Sequence, residues 1–110
     1  MTLKESMETL VDKFNDRIQE DPKLHGELQG ITKRVHMDLG SVSYSFVLED
    51  CRVDGVIEGA IDSPDIVVES DPNTIEGLIS KRIRPMKAFA LRKVKLHGDF
   101  DDLMRFRKMF

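Results

Sequence analysis

The side chains best suited to catalysis are few and scattered in this chain. His25, His36 and His97 fall in separate stretches, at no spacing that brings two imidazoles onto one metal ion. Cys51 adjoins Arg52, a cation able to lower a thiol pKa, but no base neighbours it in sequence, so it reads as a passive thiol. Asp101-Asp102 would suit general acid–base work. That pair, however, follows Gly98-Asp99 at what reads as a helix start, where the helix dipole already favours carboxylates. There is no glycine-rich phosphate loop, Gly-x-Ser-x-Gly elbow or Cys-x-x-Cys. The residue types point to binding without catalysis, and to no metal or cofactor.

Charge is the next feature with chemical content. Residues 1–80 carry 7 Lys/Arg against 17 Asp/Glu, whereas residues 81–110 carry 10 against 3. Between Gly77 and Gly98 stand seven basic residues and no acid. Such a run is either a solvated face or a site for something anionic, a lipid head group, phosphate or membrane surface. Nucleic acid is the poorer partner. The aromatics of this third, Phe89, Phe100, Phe106 and Phe110, are not interleaved with cations on an exposed strand, and the acidic first 80 residues repel a polyanion.

The elements that position these residues follow from periodicity. Leu3, Met7, Leu10, Val11, Phe14 and Ile18 predict one amphipathic helix over about 3–20. Asp21-Pro22 stops it, and Leu24 and Leu28 allow a further helical turn. The pattern then changes to period two, predicting strands over 31–39 and 42–49 joined at Gly40, then 52–61 and 65–70 in a meander. Asp71-Pro72 opens a helix whose stripe is Ile75, Leu78, Ile79 and Ile83, with Pro85 ending it. Met86–Leu91 reads as a helical turn, 93–97 as a fifth strand, and Gly98-Asp99 as the start of a last helix bearing Phe100, Leu103, Met104, Phe106 and Phe110. The order predicts an α+β fold, a five-stranded mainly antiparallel sheet with helices on one face. At 110 residues, 40% hydrophobic and 34% charged, the chain is expected to be one soluble domain over 1–110. A single cysteine, no apolar run near 18 residues and an acidic N-terminus unlike a secretory signal predict a reducing, cytoplasmic setting.

From Asp65 onward the sequence resembles the sterol carrier protein 2 family of lipid-transfer domains. The likeness lies in Ile66-Val67-Val68-Glu69-Ser70-Asp71, then Ile75, Leu78 and Ile79, then Lys81-Arg82-Ile83-Arg84-Pro85-Met86-Lys87-Ala88-Phe89. It closes with Lys93-Val94-Lys95-Leu96-His97-Gly98-Asp99, Leu103 and Met104. Pro-Met-Lys-Ala-Phe followed by Gly-Asp is the specific part, and Tyr44–Leu48 and Val56–Ile61 fit the family's strands more loosely. The chain departs at Lys81 and Arg92, where members often carry Gly.

The resemblance implies an apolar cavity between sheet and helices that binds a fatty acid, acyl-CoA, phospholipid or isoprenoid, sterol not being assured. Its expected walls are Phe46, Ile75, Leu78, Ile79, Met86, Phe89, Leu103, Met104 and Phe106. Lys81, Arg82, Arg84, Lys87 and Arg92 are expected to meet an anionic head group or a membrane surface in transient contact. Six Met and no Trp suit a tolerant pocket, although Met stripes are more often plain core. The alternative is a structural or regulatory interaction module with a filled cavity, self-associating as a homodimer through its opposite charges.

Overall fold

The computed structural model describes residues 2–108. Met7, Leu10, Val11, Phe14 and Ile18 share one face of α1 (Leu3–Glu20) and are all buried. Thr2 and Glu5 fix its start as a capping box: Thr2 Oγ1 accepts the Glu5 N–H at 3.2 Å, and the Glu5 carboxylate accepts the Thr2 N–H at 3.3 Å. Asp21 ends α1 and caps α2 (Pro22–Leu28), which buries Leu24 and Leu28.

β1 (Lys33–Asp38) and β2 (Ser43–Glu49) pair antiparallel, with Val35 opposite Phe46 and Met37 opposite Tyr44. The stretch 52–61 forms two short strands in place of the one expected. β3 (Arg52–Val53) and β4 (Ile57–Glu58) both lie on β2, separated where Gly55 takes φ +143°. β5 (Ile66–Glu69) corrects the expected meander. It crosses to the free edge of β1 and runs parallel to it, Val35 opposite Ile66. Asp65 anchors the crossing, its carboxylate accepting the Arg34 N–H at 2.8 Å while its own N–H donates to the Arg34 carbonyl at 2.8 Å. β6 (Lys95–Gly98) pairs antiparallel with β5, giving the order β3-β2-β1-β5-β6 with β4 also on β2. Val94 is buried and Leu96, opposite Val68, is half-buried, so the fifth strand joins the sheet as the alternation predicts.

Val35, Met37, Phe46, Leu48, Ile66 and Val68 give the sheet its buried face. The other face is polar: His36 Nδ1 is 3.1 Å from Ser45 Oγ, and His97 Nε2 is 3.0 Å from the Glu69 carboxylate.

Asp71 caps α3 (Pro72–Ile79), its carboxylate accepting the Thr74 hydroxyl at 2.7 Å and the Thr74 N–H at 2.8 Å. Those two bonds, the hydroxyl's first, hold the Asp71 pKa below the usual 3.8. A depressed carboxylate stabilises the fold above its unfolded pKa, and the gain is lost as pH falls through the lower folded value. Asp71→Ala is therefore expected to cost about 1 kcal/mol at neutral pH, and the gap to wild type should close in acid below pH about 4. Urea midpoints at the two pH values measure both.

α3 stops at Ile79, short of the Ile83 that periodicity assigns to it. Lys81 turns the chain at φ +64°, and the Ile83 N–H returns to the Gly77 carbonyl at 3.0 Å. A Cβ on Gly77 would stand 2.5 Å from Ile83 Cδ1, so glycine makes room for that return. α4 (Pro85–Ala90) buries Ala88, and Arg92 at φ +57° turns the chain toward β6. α5 (Phe100–Lys108) buries Asp102 and Phe106. The Phe14 ring of α1 meets Phe106 at 5.8 Å and Phe46 at 5.9 Å, joining both helices to one sheet face. Phe110, read as part of the last apolar face, lies outside the described residues.

Candidate functional site

Between the sheet and α5 lies an apolar interior. Its walls are Leu28 of α2, Val35 of β1, Phe46 and Leu48 of β2, Ile66 of β5 and Phe106 of α5. Its free volume is about 10 Å³, room for a single water-sized sphere, so the protein is closed as it stands. One edge is charged. Lys33 Nζ lies 3.0 Å from Asp102 Oδ1, and Arg105 Nη1 lies 3.1 Å from the same oxygen. The sheet supplies Lys33, whereas Asp102, Arg105 and Phe106 all come from α5.

The nine apolar residues expected as walls do not all gather here. Phe46 and Phe106 border the interior. Ile75 is buried in the main core, and Leu78, Ile79, Phe89 and Leu103 are half-buried against it. Met104 faces a surface groove with Glu27, Asp101, Arg105 and Lys108. Met86 is 69% exposed, because α4 turns Ala88 and Phe89 inward and leaves Met86 outside. Residues that were not among the expected walls, Leu28, Lys33, Val35, Leu48, Ile66, Asp102 and Arg105, complete the lining. Val35, Leu48 and Ile66 carried a usable signal, since they alternate on Phe46's face of the sheet.

Lys81, Arg82, Arg84, Lys87 and Arg92 are all exposed, and among the described residues none is in an ion pair. Arg82 donates to the Asn73 carbonyl at 3.2 Å. Exposed Met86 and Leu91 stand within the same segment. Lys81 and Arg92 hold the left-handed backbone that glycine adopts without strain. Lys81→Gly and Arg92→Gly are each expected to raise stability by about 1 kcal/mol, read as a higher urea midpoint at unchanged slope. Unchanged or lower midpoints would show that these side chains hold the turns.

Two other features carry less. Cys51 shares with Asp50 the positive-φ turn between β2 and β3, and its thiol donates to the His25 carbonyl at 3.5 Å. An open groove beside that turn is lined by Glu49, Asp50, Arg52 and Asp54 with Val47, Val56 and Ile57. Among the described residues no group of His, Cys, Asp and Glu is placed to hold a metal ion, and no helix is long and apolar enough to cross a membrane.

A mixed sheet with helices over one face, closed on an apolar interior, defines an α+β fold. The model of the SCP-2 sterol transfer family matches residues 11–110, and the chain belongs to that family. Among solved structures, sterol carrier protein 2 like 2 from Aedes aegypti aligns over 99% of this chain and 100% of its own, at TM-score 0.65 and 17% identity. Palmitated SCP2L2 from the same organism aligns over 90% and 88%, at TM-score 0.59 and 19% identity. The sec-alkyl sulfatase PisA1 from Pseudomonas sp. aligns over 77% of this chain at TM-score 0.62 and 16% identity, and the match spans 14% of that longer protein. At these identities the likeness is one of fold. No curated protein sequence matches the chain.

Proposed function

We propose that the chain is a non-enzymatic carrier that binds, and passes on, a single-chain lipid in the space between sheet and α5. The observation that carries this is the apolar interior beneath a helix whose one fully buried apolar side chain among the described residues is Phe106, its C-terminal end being held by polar contacts. Arg17 donates to the Lys108 carbonyl at 2.6 Å, and Lys108 pairs with Glu27 at 2.9 Å. Half-exposed pairs of this kind are worth about 0–1 kcal/mol each, so Phe106 is the main apolar anchor. Unseating a buried phenylalanine costs about 3–5 kcal/mol, and each buried methylene returns about 0.8 kcal/mol, so about four to six methylenes offset the opening. Long acyl chains open the protein and short ones do not. A relative of this fold solved in palmitated form supports the reading.

The five exposed cations, with Met86 and Leu91 beside them, suit transient contact with an anionic membrane, where ligand would be collected. Binding to anionic vesicles should then fall steeply between 50 and about 200 mM salt. Equal binding to neutral vesicles would leave the run as a solvated face. The lone Cys51 fits a reducing, cytoplasmic setting.

The volume of about 10 Å³ favours one second reading, a regulatory module with a filled interior that pairs with its own copy. Native mass spectrometry of the purified protein separates the two. A co-purifying lipid mass, or uptake of one palmitate, supports the carrier. An empty monomer or dimer that takes up none supports the module.

A further inference from the structure

The charged edge of the interior has the geometry of a bound carboxylate. Asp102 is buried, with Lys33 Nζ 3.0 Å from Oδ1 and 3.2 Å from Oδ2, and Arg105 Nη1 3.1 Å from Oδ1. As a device for holding α5 down this is inefficient. Desolvation of the buried Asp102 cancels much of its attraction to the partly exposed Lys33 and Arg105, and apolar side chains of similar volume would close the interior at least as well. A functional role follows from which element carries each group. Lys33 is fixed on β1, while Asp102 and Phe106 ride together on α5. A shift of α5 withdraws ring and carboxylate at once. It leaves Lys33 unpaired at the mouth of an emptied apolar chamber.

We propose that Lys33 there receives the carboxylate of an ionised single-chain lipid, and that Asp102 holds its place in the closed protein. Arg105, one turn along α5, travels with Asp102 and keeps it paired. The inference rests on the carrier reading and adds the residue that reads the head of the chain, so that an ionised acid is preferred to the neutral alcohol of equal length. Selectivity comes from the opened state, in which a neutral ligand leaves the Lys33 ammonium half-desolvated and without a counter-ion.

The test compares palmitate and hexadecanol affinities in wild type, Lys33→Met, Lys33→Arg and Asp102→Asn, each shown to be folded by circular dichroism. Wild type should prefer palmitate by about tenfold or more. Lys33→Met should bind the two alike, and Lys33→Arg should keep the preference, which excludes a packing effect at this position. Asp102→Asn should bind palmitate severalfold more tightly, because nothing then competes for Lys33. Equal affinities in wild type, a preference that survives in Lys33→Met, or an unchanged Asp102→Asn overturns the inference and leaves the carrier reading standing. A wild type that binds neither lipid overturns both.

Discussion

Gly98→Ala is expected to destabilise the protein by about 3–5 kcal/mol, a large share of the total for a chain of this size. Gly98 has φ +151°, and a Cβ there would stand 2.6 Å from the Asp65 carbonyl oxygen. That oxygen is backbone, one residue before Ile66, which stands opposite Gly98 across the β5–β6 pair, so relief requires separating the strands. α5 begins two residues later and loses its seat with them. Gly26 is the matched control. It lies inside α2 with nothing within 4 Å of its would-be Cβ, so Gly26→Ala should stabilise by about 0.5–1 kcal/mol. Urea unfolding of the two variants should move the midpoint in opposite directions. A small loss in Gly98→Ala would mean that β6 is not fixed to β5 at this point.

Phe106→Ala should cost about 3–5 kcal/mol, lowering the melting temperature by roughly 15–30 °C. The ring is 2% exposed and packs edge-on against Phe14, so its removal forfeits both burial and the aromatic contact. What separates a wall residue from plain core is the response to ligand. Truncation merges the ring's volume with the existing interior and removes the plug that a lipid must otherwise displace. Palmitate should therefore raise the variant's melting temperature more than the wild type's, recovering about 2.7 kcal/mol at a hundredfold excess over Kd. Equal ligand-induced shifts in the two proteins would return Phe106 to the ordinary core. The calorimetric scan that gives the loss also gives the recovery.

Elements written in a single local pattern were legible in the sequence. α1 and the β1–β2 pair follow from periodicity, and Asp71-Pro72 marks the start of α3 by its capping chemistry. Features that depend on distant partners were not. Alternation is the same for parallel and antiparallel strands, so nothing in Ile66–Glu69 reveals that β5 crosses to the far edge of β1. Ile83 continues the spacing of α3, and the reversal at Lys81 is invisible because a lysine rarely takes positive φ. The resemblance marked Lys81 and Arg92 only as departures from the family pattern, and both prove to be left-handed. The site itself was half legible. Phe46 and Phe106 were named, but Met86 was taken from a motif position and projects outward. Asp102 looked fully explained as a helix N-terminal charge. Its partner Lys33 lies 69 residues away, where no local rule connects them.

On the proposed function, the closed interior beneath α5 opens to take an acyl chain. Titration of the labelled protein with palmitate, followed by methyl and amide NMR, tests it most directly. One equivalent should shift the methyl signals of Leu28, Val35, Leu48 and Ile66 and the amides of α5, all around the space that Phe106 now fills. Signals at Met86 and Leu91, on the exposed segment, should move little in the absence of membrane. Shifts confined to that segment, with the four interior methyls unchanged at saturation, would contradict the account.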